Sequence, residues 1–296
     1  MSAADTAVKS FRKLEPEDLR ILHVIEANLS RYRYIPEKTI QKLAKLTEQQ
    51  TQYRLHRLSR FKLIYRSTGG PYTGYTLNMA GYDSLAINAL VKAEILEAFG
   101  KPLGVGKEAD VYDALTPDNK QIAVKFHRLG RTSFRQTRRV RGYAAERRHI
   151  SWLYQSRLAA EKEFQALKLL YPHRIAVPKP IYQNRHVVAM SMIEGAELAE
   201  HKELPNPQKT LQEVLSNIRR AYEHAGIIHA DLSEYNVIIK PNWHTLIIDW
   251  PQHVTREHPN AEQLLKRDIR NILRFFQRKY KLKTKLKDAL NYVQTS

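Results

Sequence analysis

The stretch His229–Lys240, H-A-D-L-S-E-Y-N-V-I-I-K, decides the reading of this chain, together with T-L-I-I-D-W-P at Thr245–Pro251. The first segment has the form H-x-D-x-x-x-x-N, and Asp249 closes an apolar run thirteen residues after Asn236. Oxygen-bearing side chains at this spacing suit phosphoryl transfer. Asp231 would orient or deprotonate an acceptor hydroxyl, and Asn236 and Asp249 would hold magnesium against ATP phosphates. Magnesium shares its coordination sphere with phosphates and water, so two side-chain ligands suffice.

Upstream residues extend this set. Gly104-Val105-Gly106 forms a tight turn where backbone N–H groups can approach phosphate. Lys125 follows in I-A-V-K, on a strand, where it would grip the α- and β-phosphates. A carboxylate on the helix carrying E-F-Q-A-L would hold that lysine straight. Glu161 and Glu163 both qualify by position.

Composition sets the frame. The 296 residues allow about two domains, and 43% are apolar, enough to bury a core. There is no cysteine, so neither disulfides nor thiolate metal sites arise, in keeping with a reducing, cytoplasmic setting. The N-terminal residues carry no apolar targeting core, and no apolar run approaches the roughly 20 residues of a membrane span. A formal charge of +19 favours polyanionic partners, nucleic acid above all.

Residues 1–80 read as a small helical module. Leu19, Leu22, Ile25 and Leu29 recur on one helix face, and a second short helix after Pro36 carries Ile40, Leu43 and Ala44. Thr47 stands three residues before Gln50, a capping-box pattern, and opens a third helix with Tyr53, Leu55 and Leu58. Two β-prone runs around Gly69-Gly70-Pro71 then predict a hairpin. Three helices and a hairpin make a winged helix-turn-helix. Its recognition helix, Thr47–Arg60, presents Gln49, Gln52, Arg54, His56 and Arg57, and Gln52, Arg54 and Arg57 are the candidate nucleic-acid contacts. Residues 81–100 read as a helical connector. Strands around the glycine turn, at I-A-V-K-F and at V-V-A-M-S-M follow, then a hairpin joining N-V-I-I-K to T-L-I-I-D-W. Helices are expected at Ala159–Leu170 and Leu211–Ala225.

Glycine loop, strand lysine, helix glutamate, catalytic loop and metal aspartate occur in protein-kinase order. The third loop glycine is replaced by Ala109, Trp250-Pro251 follows the metal aspartate, and only 47 residues come after Asp249. That leaves little room for an activation loop and a peptide-docking lobe. With G-V-G-K-E-A-D-V-Y, H-A-D-L-S-E-Y-N and I-D-W-P-Q, the chain resembles the RIO family of atypical serine/threonine kinases. Its N-terminal winged helix is similar to that of the type-2 subfamily.

The resemblance implies an α+β protein: a winged helix followed by a trimmed two-lobed kinase-like domain, with an N-lobe at 101–192 and a C-lobe at 193–296. On this reading ATP lies between the lobes. Asp231 is the catalytic aspartate, and Asn236 and Asp249 hold Mg²⁺, with Mn²⁺ as an alternative ion. Lys125 contacts phosphate and pairs with Glu163, and His229 braces the catalytic loop. Gly104, Val105, Gly106, Lys107 and Glu108 form the phosphate loop. Val111 and Ala123 roof the adenine, Ile238 floors it, and Met190 and Met192 flank the hinge. Ser191 stands where an acidic residue is common in the family.

Residues 127–150 carry eight arginines and one acid, Glu146. In the family this position holds a flexible loop, with Ser133 as the candidate autophosphorylation site and Thr132 and Thr137 as competing acceptors. A C-terminal helix packs Leu265, Ile269, Ile272 and Phe276 on one face and crowds Lys266, Arg267, Arg270, Arg274, Arg278 and Lys279 on the others, suited to rRNA phosphates. The implied partners are the immature small ribosomal subunit, its rRNA, and ribosomal or assembly proteins, with no membrane. Two alternatives compete: a nucleotide-gated winged-helix regulator and a small-molecule phosphotransferase.

Overall fold

The computed structural model describes residues 2–128 and 152–295. The expected autophosphorylation site Ser133, and the basic stretch from residue 129 onward, lie outside the described residues. His127 and Arg128, assigned to that loop, are buried. Two compact units emerge: Met1–Lys120 with Val124–Arg157 and Asn184–Val187, and Gln121–Ala123 with Leu158–Gln183 and Val188–Ser296.

The first unit begins with helices α1 (Ala3–Phe11) and α2 (Pro16–Asn28), then strand β1 (Ile35–Pro36) and helices α3 (Glu37–Ala44) and α4 (Glu48–Arg60). Strands β2 (Ile64–Ser67) and β3 (Gly74–Leu77) form the expected hairpin. β1 adds to β3, giving a three-stranded wing in the order β1-β3-β2. α4 starts where the capping box places it. The Thr47 hydroxyl accepts from the Gln50 N–H at 3.2 Å, and the Thr47 N–H donates to Gln50 Oε1 at 3.0 Å. Ile21, Leu22, Ile25, Ile40, Leu55, Leu58, Ile64 and Leu77 share one buried core. Two residues placed on apolar faces point outward instead: Leu43 is 47% and Tyr53 59% exposed.

The expected helical connector over 81–100 is helical only in its first part, and that part belongs to the winged-helix module rather than linking it onward. Helix α5 runs Met79–Lys92, and its Tyr82 and Leu85 belong to the winged-helix core. The Asn78 side chain caps it, accepting from the Gly81 N–H at 3.0 Å. A Cβ at Gly81 would sit 2.2 Å from the Leu63 carbonyl oxygen, so only glycine lets α5 approach this closely. The chain is a strand again by Ala98, because β4 (Ala98–Val105) already includes Phe99, which the helical pattern had claimed.

β4 pairs antiparallel with β5 (Ala109–Leu115) through two register shifts, at Phe99–Pro102 and Pro102–Gly104. Such bulges end regular pairing and re-aim the backbone. Strand β6 (Gln121–His127) and helix α6 (Trp152–Leu170) follow, then β7 (Pro180–Asn184) and β8 (Val187–Ser191), and the five-stranded sheet runs β4-β5-β6-β8-β7. Proline at position 102 suits β4, since an edge strand tolerates the missing N–H.

The second unit holds most of α6, β7 and β8 and continues with β9 (Ala196–Glu197), α7 (Pro207–His224), β10 (Ile227–Ile228), β11 (Val237–Ile239), β12 (Thr245–Ile247), β13 (Val254–Thr255), α8 (Ala261–Tyr280) and α9 (Leu286–Gln294). β12, β11 and β9 form one small sheet, and β10 pairs with β13. α8 buries Leu265, Ile269, Ile272 and Phe276, the expected face, and adds Leu273 and Phe275. Among the described residues, no helix is long and apolar enough to cross a membrane.

Candidate active site

The catalytic loop lies between β10 and β11. Ala230 takes a left-handed conformation at φ +63° immediately before Asp231, and Asp249 another at φ +67°. Such conformations cost a non-glycine residue about 1–2 kcal/mol, so surrounding contacts must impose them. Asp268 of α8 is the chief contact. Its Oδ2 accepts from the Ala230 N–H at 2.7 Å and its Oδ1 from the Leu232 N–H at 3.2 Å, bracketing Asp231. Asn271 Nδ2 donates to the Leu232 carbonyl at 3.2 Å, and Arg267 donates to the Ala230 carbonyl. His229 is buried, with its Nε2 2.9 Å from the Ile248 carbonyl and its ring 4.6 Å from that of Trp250. The position of His229 therefore ties the catalytic loop to the residue preceding Asp249.

Asp231 is exposed, yet partial desolvation by the surrounding protein raises its pKa above the usual carboxylate value; Arg267 opposes the rise, and the charge of Asp249 adds to it. Burial pushes Asp268 up to about 7, against the two backbone N–H groups and Arg267, which pull it down. Asn236 directs its Oδ1 at Ser233, accepting from the N–H at 3.1 Å and the hydroxyl at 2.9 Å.

Asn236 and Asp249 carry oxygen donors of the kind magnesium takes, and the Ile248 N–H donates to the Asn236 carbonyl at 2.9 Å, which brings their two segments together. Among the described residues, no group of three or more His, Asp or Glu could hold a metal. The Ser191 N–H donates to the Lys179 carbonyl at 2.9 Å, and the Ser191 hydroxyl accepts from the Lys179 N–H at 3.0 Å. The hinge serine thus fixes its own strand end. Met190 and Ala123 are buried, and Met192 and Ile238 half-buried. Glu163 is buried on α6 whereas Glu161 is only half-buried, which separates the two carboxylates that the sequence left level.

In the first unit, Lys125 is buried on β6 and Val111 half-buried on β5. The turn from Gly104 to Glu108 is exposed, closed by the Gly106 N–H donating to the Ala109 carbonyl at 2.9 Å. A Cβ at Gly104 would meet nothing within 4 Å, and at Gly106 only the Ala109 carbonyl at 3.3 Å. Neither glycine is demanded by packing. Open space of this kind fits close approach of a phosphate group.

The recognition helix requires a correction. Arg54 Nη1 lies 2.6 Å from Glu15 and 3.4 Å from Asp18, and its Nη2 3.4 Å from Glu17. Arg57 pairs with Glu15 at 2.6 Å and Asp18 at 3.2 Å, and also donates to the Lys13 carbonyl. The acidic first turn of α2 holds both guanidiniums, so neither is displayed for a nucleic acid; Gln52 stays exposed. Sequence reasoning missed Asp268, Arg267 and Asn271 as supports of the catalytic loop. It placed Arg267 on a phosphate-facing surface. An acid on the buried phase of α8, between Leu265 and Ile269, was the available signal.

An aspartate between two clamped amides, an asparagine five residues on and a second aspartate after the next hairpin follow the order of the protein-kinase class. Comparison with known proteins narrows this. Residues 110–289 match the RIO domain and residues 11–93 the Rio2 N-terminal domain. The RIO-type serine/threonine-protein kinase Rio2 of Methanocaldococcus jannaschii is 45% identical over 256 residues, covering 85% of this chain and 92% of that one. The serine/threonine-protein kinase rio2 of Schizosaccharomyces pombe is 37% identical, covering 93% and 80%. The crystal structure of a Rio2 kinase-ADP/Mg²⁺-phosphoaspartate complex from Chaetomium thermophilum superimposes with TM-score 0.83 at 33% identity, covering 98% and 89%. The chain belongs to the RIO family of serine/threonine-protein kinases, with the Rio2 N-terminal domain.

Proposed function

We propose that this chain is a Mg-ATP-dependent serine/threonine kinase with ATPase activity that acts in the cytoplasm on the maturing small ribosomal subunit. The observation that carries the phosphoryl-transfer reading is the clamped Asp231, flanked by Asp268-bound amides and raised in pKa by its surroundings. A carboxylate with a raised pKa is a stronger base than an ordinary one. Asp231 would orient a serine hydroxyl or a water and take its proton. Lys125 and the amides of 104–108 would hold phosphate oxygens, and Asn236 and Asp249 the metal. Bound Mg²⁺ supplies charge neutralisation on those oxygens.

The Chaetomium relative's complex contains a phosphoaspartate. Asp249 would play that part here, accepting phosphate and releasing it to water. The ribosomal reading is supported by family membership and by the exposed Lys266, Arg274, Lys283, Lys285 and Lys287 of the C-terminal region. The test is Mg-ATP turnover by Asp231→Ala and Asp249→Asn, with acid-trapped acyl phosphate measured on the chain. Loss of turnover in both, with ATP affinity retained in Asp231→Ala, supports the roles; undiminished turnover in Asp231→Ala overturns them.

A further inference from the structure

Arg128 sits at the end of β6 and is 3% exposed, yet four hydrogen bonds converge on it. Its backbone N–H donates to the Glu108 carbonyl at 2.6 Å, inside the turn read as the phosphate loop. Its Nε donates to Asp110 at 2.9 Å, two residues further on. Its Nη1 and Nη2 donate to both oxygens of Asp83 on α5 at 2.8 and 2.9 Å. Asp83 is fully buried and also lies 2.6 Å from His186 Nε2, whose ring stacks on Tyr82 at 4.6 Å. Asp110 and Tyr112 face inward together on β5, and the Tyr112 hydroxyl donates to Asp5 of α1 at 2.6 Å. Two helices of the N-terminal module thus grip the strand that leaves the phosphate loop.

Buried ion networks contribute little net stability, because desolvation offsets the attraction, whereas they do fix geometry. This network is placed to fix one particular geometry. α5 supplies Tyr82 and Leu85 to the winged-helix core and Asp83 to the guanidinium. A single residue, Arg128, therefore joins that core to the backbone of Glu108, holding Asp83 through its side chain and Glu108 through its N–H.

We propose that Asp83 and Arg128 are positioning residues that set the conformation of the phosphate loop from the N-terminal module, so that nucleotide affinity depends on residues that touch no nucleotide. The proposal rests on the reading of 104–108 as the phosphate loop.

The test measures the dissociation constant of Mg-ADP, the ATP KM and kcat, and amide exchange over 104–110, in wild type, Asp83→Asn and Asp110→Asn. Arg185→Gln serves as control: it breaks an ion pair to Glu26, at 2.6 Å in the same unit, that does not involve the loop. Asp110→Asn keeps the test alive if Asp83→Asn does not fold, since it weakens only the Nε contact. The expected result is a Kd and a KM raised about tenfold in Asp83→Asn, within the usual range of coupling between sites. kcat should stay within about twofold, by the rule that uniform binding alters KM alone, and exchange over 104–110 should be faster. The control should lose stability and keep its affinity. Unchanged affinity in the folded variants, or an equal loss in Arg185→Gln, overturns the proposal alone. A wild type that binds no Mg-ADP overturns the phosphate-loop reading and the proposal with it.

Discussion

Replacing Asp268 by Asn should separate catalytic positioning from stability. The wild-type carboxylate accepts two buried backbone N–H groups, at 2.7 and 3.2 Å. The amide can accept one with its Oδ1 but presents its NH₂ to the other. One charge-assisted bond, worth about 1.5–3 kcal/mol, is lost, and a buried donor is left facing a donor. Against that, the neutral amide escapes the burial penalty that pushes Asp268 up to about 7. Global stability should therefore fall by no more than about 2 kcal/mol. The loop that carries Asp231 has no such relief. A displacement of about 1 Å at a reacting group costs on the order of 10²-fold, so kcat should fall between about 10- and 100-fold, with the ATP KM little changed. Steady-state Mg-ATP turnover and urea unfolding of the same preparations are the assays. A kcat within twofold of wild type would refute the clamp; a kcat loss fully explained by unfolded protein would refute the separation.

pH should expose the same residue with opposite signs. An acid whose folded pKa is raised contributes most to folding below its unfolded value, and that contribution is lost as pH rises from the ordinary carboxylate range through about 7. Activity should run the other way, rising with deprotonation through about 7, and Asp268→Asn should remove that inflection. Gly81→Ala should destabilise the winged helix by several kcal/mol, roughly the scale of severe overpacking, because its Cβ would lie 2.2 Å from the Leu63 carbonyl oxygen; thermal unfolding reads this out. Leu58→Ala, at a fully buried position, should cost about 2–5 kcal/mol in urea unfolding. Arg54→Gln should lower stability more than it lowers RNA affinity in a filter-binding assay, since that guanidinium is held by Glu15, Glu17 and Asp18; the reverse ranking would restore it as a nucleic-acid contact.

Local chemistry was readable in the sequence and long-range pairing was not. Thr47 and Gln50 announce a helix start because the capping box closes within four residues. The α8 stripe of Leu265, Ile269, Ile272 and Phe276 follows from the helix period alone. The RIO motifs named the family through fixed spacings. The clamp on Asp231 comes from α8, 36 to 38 residues away; the helix period puts Asp268 on the buried phase, but only the fold supplies the Ala230 and Leu232 amides it accepts from. Arg54 and Arg57 misled for the same reason. A guanidinium on a recognition helix looks available until α2 brings Glu15 and Asp18 beside it. α5 was read as a connector because its apolar residues surround it, which obscures the face that joins the winged-helix core.

The central claim is Mg-ATP phosphoryl transfer through Asp231 in service of the small ribosomal subunit. The most direct measurement is Mg-ATP turnover by wild type and Asp231→Ala, each with and without immature small subunits. Turnover that is slow alone, stimulated by the particles and lost in the variant is the predicted result. Turnover that survives in Asp231→Ala, or that is indifferent to the particles, would contradict the account.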